Sequence, residues 1–191
     1  MDKKAIRTIV KDILGIIKTN KKGEFSLPED INDEMVYDFS KIKNFSINLI
    51  IVKNKSVKTF LMNGDYEKYE DVITIKIVYN PTIDLTKHYY DIVGELNDIL
   101  AHEMEHYFQY NSGRFELKPN RAKKPITYYL KPEEIGAQIQ GFKRLAKLRR
   151  LTFESVVQKW FDTHTETHML SDIEVKKVVD TLINNFSLKS V

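Results

Sequence analysis

The sequence predicts an α+β fold, with a small antiparallel sheet of about three strands in its first half and helices in its second half. Between residues 45 and 79, apolar and polar positions alternate with the two-residue period of half-buried strands. From His88 onward, apolar residues recur every three or four positions, as they do on one face of a helix. No repeat, low-complexity segment or linker divides the 191 residues, so we expect a single domain over 1–191.

The residues before the sheet predict two helices. Apolar residues in 3–19 form one stripe with lysines opposite, which is typical of an amphipathic helix that packs on a core. Binding to a membrane surface is the alternative for this helix, but it is short and has no aromatic anchor. After a break at 20–23, the run 28–30 (Pro-Glu-Asp) predicts the first turn of a short helix that reaches Phe39.

Three alternating stretches predict the strands of the sheet. The clearest are 45–51 and 73–79, and a shorter one covers 57–61. The composition of Asn63-Gly64-Asp65 predicts a turn before the last strand. Pro81 ends that strand, because proline has no N–H to donate to a neighbouring strand.

The helix predicted over 88–110 carries the strongest chemical signal in the chain. It contains His102, Glu103 and His106 in an H-E-x-x-H arrangement, and Gly113 follows as a stop signal. Residues four apart lie on one helical face, so the two imidazoles can converge on one tetrahedral zinc ion. Glu103 can approach a metal-bound water without ligating the metal, which is the place of a general base. The alternative is a surface helix that holds these side chains by chance.

Composition excludes several other kinds of site. The chain has no cysteine, which excludes thiolate metal sites, cysteine nucleophiles and disulfides. It also argues against peptide deformylases, which have a similar motif but use a cysteine as the third ligand. The long metzincin motif needs glycine at 109 and histidine at 112, where this chain has Gln109 and Ser112. Because no signal-peptide core or membrane span is found, we expect a cytoplasmic protein, or one of the host cytoplasm or virion if it is phage-encoded.

The second half of the chain predicts three helices. After a basic loop, a helix is expected over 132–150, because a proline stands at its first position. Shorter helices are predicted near 152–162 and 171–186. Ser171 and Glu174 form a capping-box pair at the start of the last one.

A catalytic zinc site needs a third protein ligand and an open fourth position for water. Glu133 and Glu134 stand at the start of the helix predicted over 132–150. His164 and His168 are the other candidates, but they lie in a threonine-rich stretch that we interpret as a solvated polar loop.

The pairing of AHEMEHYFQ with YLKPEEIGAQ resembles the gluzincin class of zinc metallopeptidases, the thermolysin-like group, and in particular its small single-domain members from phages and bacteria. The resemblance covers about residues 70–145. It implies a zincin-like fold, one zinc ion held by His102, His106 and Glu134, and hydrolysis of peptide bonds with Glu103 as the base.

Other side chains near the motif are candidates for supporting roles. Ala137, one turn after Glu134, is small enough to let the two helices approach closely. Gln138 can accept a hydrogen bond from a ligand imidazole, where thermolysin has an aspartate, and Asp98 is an alternative partner for His102.

The expected cleft has two further parts. Tyr128 and Tyr129, immediately before the ligand helix, are the candidates for stabilising the oxyanion that forms during hydrolysis. The strand at 72–79 is expected at the rim, as in zincins, where an extended protein or peptide substrate adds by main-chain hydrogen bonds.

The alternative function is a non-catalytic, zincin-like binding module, which uses a structural zinc or the basic segment 117–150 to bind a protein or nucleic-acid partner. That segment carries ten bases against Glu133 and Glu134, and such a charge excess attracts nucleic acid. Glu103 favours catalysis, because a structural zinc site needs no base beside its first ligand.

Overall fold

The structure, a computed structural model, describes residues 3–17, 35–37, 46–115, 124–164 and 168–188. Within these ranges the strands are β1 (Met35–Tyr37), β2 (Ser46–Lys53), β3 (Phe60–Glu67) and β4 (Val72–Tyr79). The α-helices are α1 (Lys3–Ile17), α2 (Tyr89–Asn111, preceded by a 3-10 turn at Leu85–His88), α3 (Pro125–Tyr129), α4 (Pro132–Arg149), α5 (Phe153–Thr163) and α6 (Asp172–Leu188).

The four strands in the described ranges form one sheet in the order β1-β2-β4-β3. β2 and β4 are parallel, whereas the β1–β2 and β3–β4 pairs are antiparallel. The α+β class is confirmed, but the prediction of an antiparallel sheet is wrong for the central pair. Ile47 lies opposite Ile73, and their alternation would bury both residues whichever way the strands ran. Periodicity therefore cannot determine strand direction.

β3 differs most from the sequence-based prediction. Only residues 60 and 61 of the stretch predicted at 57–61 belong to it, and the strand then continues through Asn63-Gly64-Asp65 instead of turning there. The chain turns at 68–71, where Asp71 has a φ of 50°. The predicted turn was therefore placed about five residues too early.

Gly64 is required for close packing and does not form the turn that Asn63-Gly64-Asp65 predicted. A side chain at this position would collide with Cγ2 of Ile99 on α2 and would lie 3.0 Å from both Cγ and Oε1 of Glu103. The glycine therefore allows close packing of the strand backbone on the helix.

Two other segments also correct the sequence-based assignments. Residues 35–37, inside the helix predicted up to Phe39, form β1, and the remainder of that predicted helix lies outside the described residues. Residues 125–129, predicted as part of a loop, form the short helix α3 with a proline in its first turn.

The long helices agree closely with their predicted bounds. α4 begins at Pro132 and ends before Arg150, which adopts a left-handed conformation with a φ of 55°. The capping pair at the start of α6 is confirmed, because the backbone N–H and hydroxyl of Ser171 donate to Glu174 Oε2 at 3.0 and 2.9 Å. None of the described helices combines the length and apolar character needed to span a bilayer.

Two hydrophobic clusters lie on either side of the α2–α4 contact. One fills the space between the sheet and helices α1 and α2, and includes the fully buried Ile47 and Leu100. The other is formed by α4, α5 and α6, and includes Phe161 and Leu182. α2 and α4 pack along each other between these clusters, so they are held in place from both sides.

Small residues let α2 and α4 approach closely. A Cβ at Gly141 would collide with Oδ1 of Asp98 and lie 3.1 Å from its carbonyl oxygen. A Cβ at Gly136 would lie 2.7 Å from Nε2 of Gln109. Ala137, expected from the sequence to allow this approach, is fully buried. Larger side chains at these positions would force the helices apart.

We predict that Gly141→Ala destabilises the protein by about 1–3 kcal/mol, because the added methyl group overpacks the α2–α4 contact. The matched control is Gly15→Ala in α1, where no atom lies within 4 Å of the added Cβ. This control should be neutral or stabilising by up to about 1 kcal/mol, as expected for alanine in a helix. Urea unfolding of both variants measures the difference, and equal stabilities would contradict the packing described here.

Candidate metal centre

The two histidines of the H-E-x-x-H arrangement face each other from successive turns of α2. The Nε2 atoms of His102 and His106 lie 3.1 Å apart, and the ring planes are inclined by 74°. His106 is buried, whereas the side chain of His102 retains 20% of its exposure. The helical spacing therefore brings the two imidazoles to a common point, as predicted.

Glu134 reaches the same point from the first turn of α4. Its Oε2 atom lies 3.5 Å from Nε2 of His102 and 3.5 Å from Nε2 of His106. In a tetrahedral zinc site with bonds of about 2.0–2.1 Å, neighbouring ligand atoms are about 3.3 Å apart. The triangle formed by these three atoms has the right size, so the cluster can hold a metal ion.

The surroundings of Glu134 also fit a metal ligand. The residue is buried, and Oε2 has no hydrogen-bond donor within the described residues. Two imidazole nitrogens and one carboxylate oxygen suit zinc and other divalent transition metals. The cluster therefore indicates a metal site but does not by itself select the metal.

Burial and charge oppose each other in this cluster. Burial disfavours the charged carboxylate of Glu134, but His102 and His106 outweigh this effect and lower its pKa to about 2. Burial likewise disfavours protonation of His106, but Glu134 and Glu103 raise the pKa of His106 overall. Glu134 is consequently ionised at neutral pH, which is the form that binds a metal.

Gln109 orients His106, a role that sequence analysis missed. Its Oε1 lies 3.2 Å from Nδ1 of His106, and its Nε2 donates to the carbonyl oxygen of Glu133 at 3.0 Å. Since the amide nitrogen is used by this carbonyl, Oε1 accepts the Nδ1–H of the imidazole, and the lone pair of Nε2 faces the cluster. The sequence did contain a signal for this role, because a residue three positions after His106 lies on the same face of the helix.

The supporting partners expected for His102 are not found. Within the described residues, neither Gln138 nor Asp98 makes a hydrogen bond to a ligand imidazole. Both amide atoms of Gln138 are buried without a partner there. Asp98 instead lies against Gly141 of the facing helix. These two predictions are therefore wrong for the described residues.

The other candidates for the third ligand lie outside the cluster. The carbonyl of Glu133 holds Gln109, and its side chain is not among the converging groups. His168, interpreted from sequence as a solvated loop residue, is in fact buried. Its Nε2 donates to the carbonyl oxygen of Phe161 at 2.8 Å, and its Nδ1 accepts from the N–H of Leu170 at 3.0 Å. Both of its nitrogens are thus engaged in holding the fold.

His164 also has a packing role. Its ring is stacked on Trp160 at 4.6 Å between centroids and 8° between planes. Its Nε2 lies 3.9 Å from Glu95 Oε1, and it is not one of the groups that converge on the cluster.

Glu103 lies beside the cluster without belonging to it. The residue is 6% exposed, and Gly64 of β3 leaves room for its side chain. Burial raises the pKa of Glu103, although His102 and His106 act in the opposite direction. A carboxylate in this position can accept a proton close to the metal site without ligating the ion.

Two clefts meet at the cluster. The larger cleft, of about 670 Å³, is lined by residues 59–64, by one face of α2 and by side chains of α4 and α5. The smaller cleft, of about 400 Å³, is lined by residues 64–69 and by the start of α4. Both clefts share four residues, which are Gly64, His102, Glu103 and Tyr128.

The rim of both clefts is β3, which corrects the prediction that the strand at 72–79 would form it. β4 lies between β2 and β3 and is paired on both sides. β3 is the outermost strand of the described sheet at that end, and it follows the two clefts along its length. Which strand forms the rim depends on the order of the strands in the sheet. The alternation of apolar and polar residues does not predict that order.

The two candidate tyrosines differ in their surroundings. Tyr128 lines both clefts, and burial, followed by the nearby Glu134 carboxylate, raises the pKa of its phenol. Tyr129 lines only the larger cleft, and its ring packs edge-on against Phe161 at 5.7 Å. Tyr128 is therefore the one next to the cluster.

The basic segment 117–150 is less exposed than its composition suggested. Arg144 is buried and donates from Nε to Asn97 Oδ1 at 3.0 Å. Arg149 pairs with Asp91 at 3.6 Å. The described part of the segment therefore carries fewer free surface charges than the count of bases implied.

No protein family model, curated protein sequence or solved structure matches this chain.

We predict that Glu134→Gln weakens zinc binding by more than the roughly 10–100-fold that loss of a supporting group costs, because it removes a ligand. The matched control is Glu133→Gln, which makes the same change one residue earlier and should keep its metal. Competition with a zinc chelator measures both affinities. Equal zinc binding by the two variants would exclude Glu134 as a ligand.

Proposed function

We propose that this chain is a zinc-dependent metallopeptidase of the gluzincin type, which hydrolyses internal peptide bonds of a protein or peptide. The observation that carries the proposal is the buried Glu103 carboxylate, which opens onto both clefts beside the His102–His106–Glu134 cluster. A structural metal site would need no such group, so the alternative of a non-catalytic binding module leaves Glu103 unexplained.

The position of the cluster supports catalysis rather than a structural role for the metal. His102 lines both clefts, and His106 and Glu134 line the smaller one, so solvent and substrate can approach the cluster. A structural zinc site is closed by four protein ligands, whereas a catalytic one keeps a position open. Three converging ligands that face a cleft match the second pattern.

The chemistry divides between the metal and the protein. When bound, zinc would supply a water of lowered pKa and an electrophile for the substrate carbonyl. Glu103 takes the proton from the attacking water and delivers it to the leaving amine. The phenol of Tyr128 donates a hydrogen bond to the developing oxyanion. Gln109 keeps His106 in the tautomer whose Nε2 lone pair faces the cluster.

The sheet edge supplies a binding surface for the substrate main chain. β3 ends the described sheet on one side, so its outer N–H and C=O groups can pair with an extended peptide. The clefts continue along this strand in both directions from the cluster. A chain bound here can extend past the site on both sides, which supports cleavage within a chain rather than at its end.

We predict that Glu103→Gln keeps its zinc but lowers kcat/KM for peptide hydrolysis by about 10²–10⁴-fold, the contribution expected of a general base. The control is Glu105→Gln on the same helix, because Glu105 lines neither cleft. Zinc content and cleavage of a mixed peptide library measure the two effects. Full activity in Glu103→Gln would eliminate this mechanism.

We also predict that Tyr128→Phe lowers kcat by about 10²–10³-fold with little change in KM, as for loss of one oxyanion donor. Tyr129→Phe removes the neighbouring hydroxyl and should leave kcat close to that of the wild type. Steady-state kinetics on one peptide compares the variants. A similar loss in both, or in neither, would remove Tyr128 from this role.

A further inference from the structure

We propose that the larger cleft contains a specificity pocket, formed by Asp98 and Gln138, that accepts a lysine or arginine side chain of the peptide substrate. This inference rests on the proposed function, because it assigns a preference to the same cleft. It concerns residues that take no part in holding the metal or in moving protons.

Gln138 is the first observation. The residue is 6% exposed and lines the larger cleft, and neither its Oε1 nor its Nε2 has a hydrogen-bond partner within the described residues. Buried amides are nearly always hydrogen-bonded, since leaving them unpaired is costly. Gln138 is therefore an unpaired buried amide in the wall of the cleft, and a ligand group that enters there can pair with it.

Asp98 is the second observation, and it comes from the facing helix. It lines the same cleft, and its carboxylate makes no hydrogen bond or ion pair of its own within the described residues. Burial raises the pKa of Asp98 well above its usual range; Glu95 acts in the same direction, and the nearby Arg149 acts in the opposite one. A cation placed beside this carboxyl group would favour its ionised form and gain an ion pair.

The two polar groups belong to one pocket. Asp98 Oδ1 occupies the space that the missing side chain of Gly141 leaves, and Gly141 is three residues after Gln138 on the same face of α4. Ile99 and Phe142 line the cleft beside them. Apolar walls with a carboxyl group and an amide suit a long aliphatic stem that ends in a cation.

Two other carboxylates of the cleft already face a basic side chain. Asp91 pairs with Arg149 at 3.6 Å, and Glu95 lies 3.9 Å from His164. Asp98 lies one turn closer to the motif than Glu95 and makes no such pair in the described structure. Of these three carboxyl groups, the one without such a pair is therefore the one nearest to the metal cluster.

The direction of β3 predicts where the preferred side chain lies relative to the bond that is cleaved. The strand runs from the larger cleft at 59–64 towards the smaller cleft at 64–69. A peptide that pairs antiparallel to it would pass its carboxyl-terminal side along the larger cleft. The selected side chain would then follow the bond that is cleaved.

The test uses the zinc-loaded full chain and peptide pairs with and without the side-chain cation, which are arginine against citrulline and lysine against norleucine. We expect kcat/KM to be about 10–100-fold higher for the cationic member, the range for hydrogen bonds to a charged group. Asp98→Asn should abolish the preference, because kcat/KM for the cationic member falls towards that for the neutral member. Equal kcat/KM values of the wild type for the two members of a pair would overturn the proposal of a cation-specific pocket.

Two controls separate specificity from damage to the fold. Asp91→Asn makes the same change on the same helix and should keep the preference. Gln138→Leu should reduce the preference without loss of zinc, and it replaces Asp98→Asn if that variant does not fold. A parallel fall in the rates for charged and neutral peptides would show a structural role and overturn the proposal.

Binding to an inactive protein distinguishes the two proposals. Calorimetry with Glu103→Gln should show about 10–100-fold tighter binding of the arginine peptide than of the citrulline peptide. This difference should vanish in the double variant with Asp98→Asn. If the wild type cleaves neither peptide, the peptidase proposal fails. The binding comparison still shows whether the pocket prefers a cation. If binding is equal, the pocket fails and the peptidase proposal stands.

Discussion

The close contact between α2 and α4 is the constraint on which the candidate site depends. His102 and His106 belong to one helix and Glu134 to the other, so the three candidate ligand atoms meet only if the helices approach closely. Gly136 and Gly141 make this possible, because a side chain at either position would meet atoms of α2. The hydrophobic clusters on both sides then hold the pair in place, so that packing energy maintains the geometry of polar groups.

Placing three carboxyl groups and two imidazoles near this contact opposes stability, because buried charges are costly unless they are paired. The cluster offsets part of the cost, since His102 and His106 hold Glu134 in its ionised form. Glu103 and Asp98 have less compensation, and burial raises the pKa of both. Groups of this kind are retained where they take part in binding or chemistry, which agrees with their position on the clefts.

Gly64 shows why one local sequence signal can be misread. Asn63-Gly64-Asp65 has the composition of a turn, but the chain continues through it as β3. The glycine is explained by the atoms that surround it, namely Ile99 and Glu103 of α2, which leave no room for a side chain. It thereby brings the edge strand next to Glu103, and the same glycine lines both clefts. The requirement for glycine at this position comes from a contact with residues far away in the sequence and not from local turn propensity.

Features that depend on local spacing could be predicted from the order of the residues. Helical periodicity placed His102, Glu103 and His106 in one helix, and a proline marked the start of the helix that carries Glu134. The order and direction of the strands, the support of His106 by Gln109 and the burial of His168 were decided only by tertiary structure. The physical reason is that spacing fixes which side chains share a face of one element. Which faces then meet depends on packing between elements that are distant in the chain.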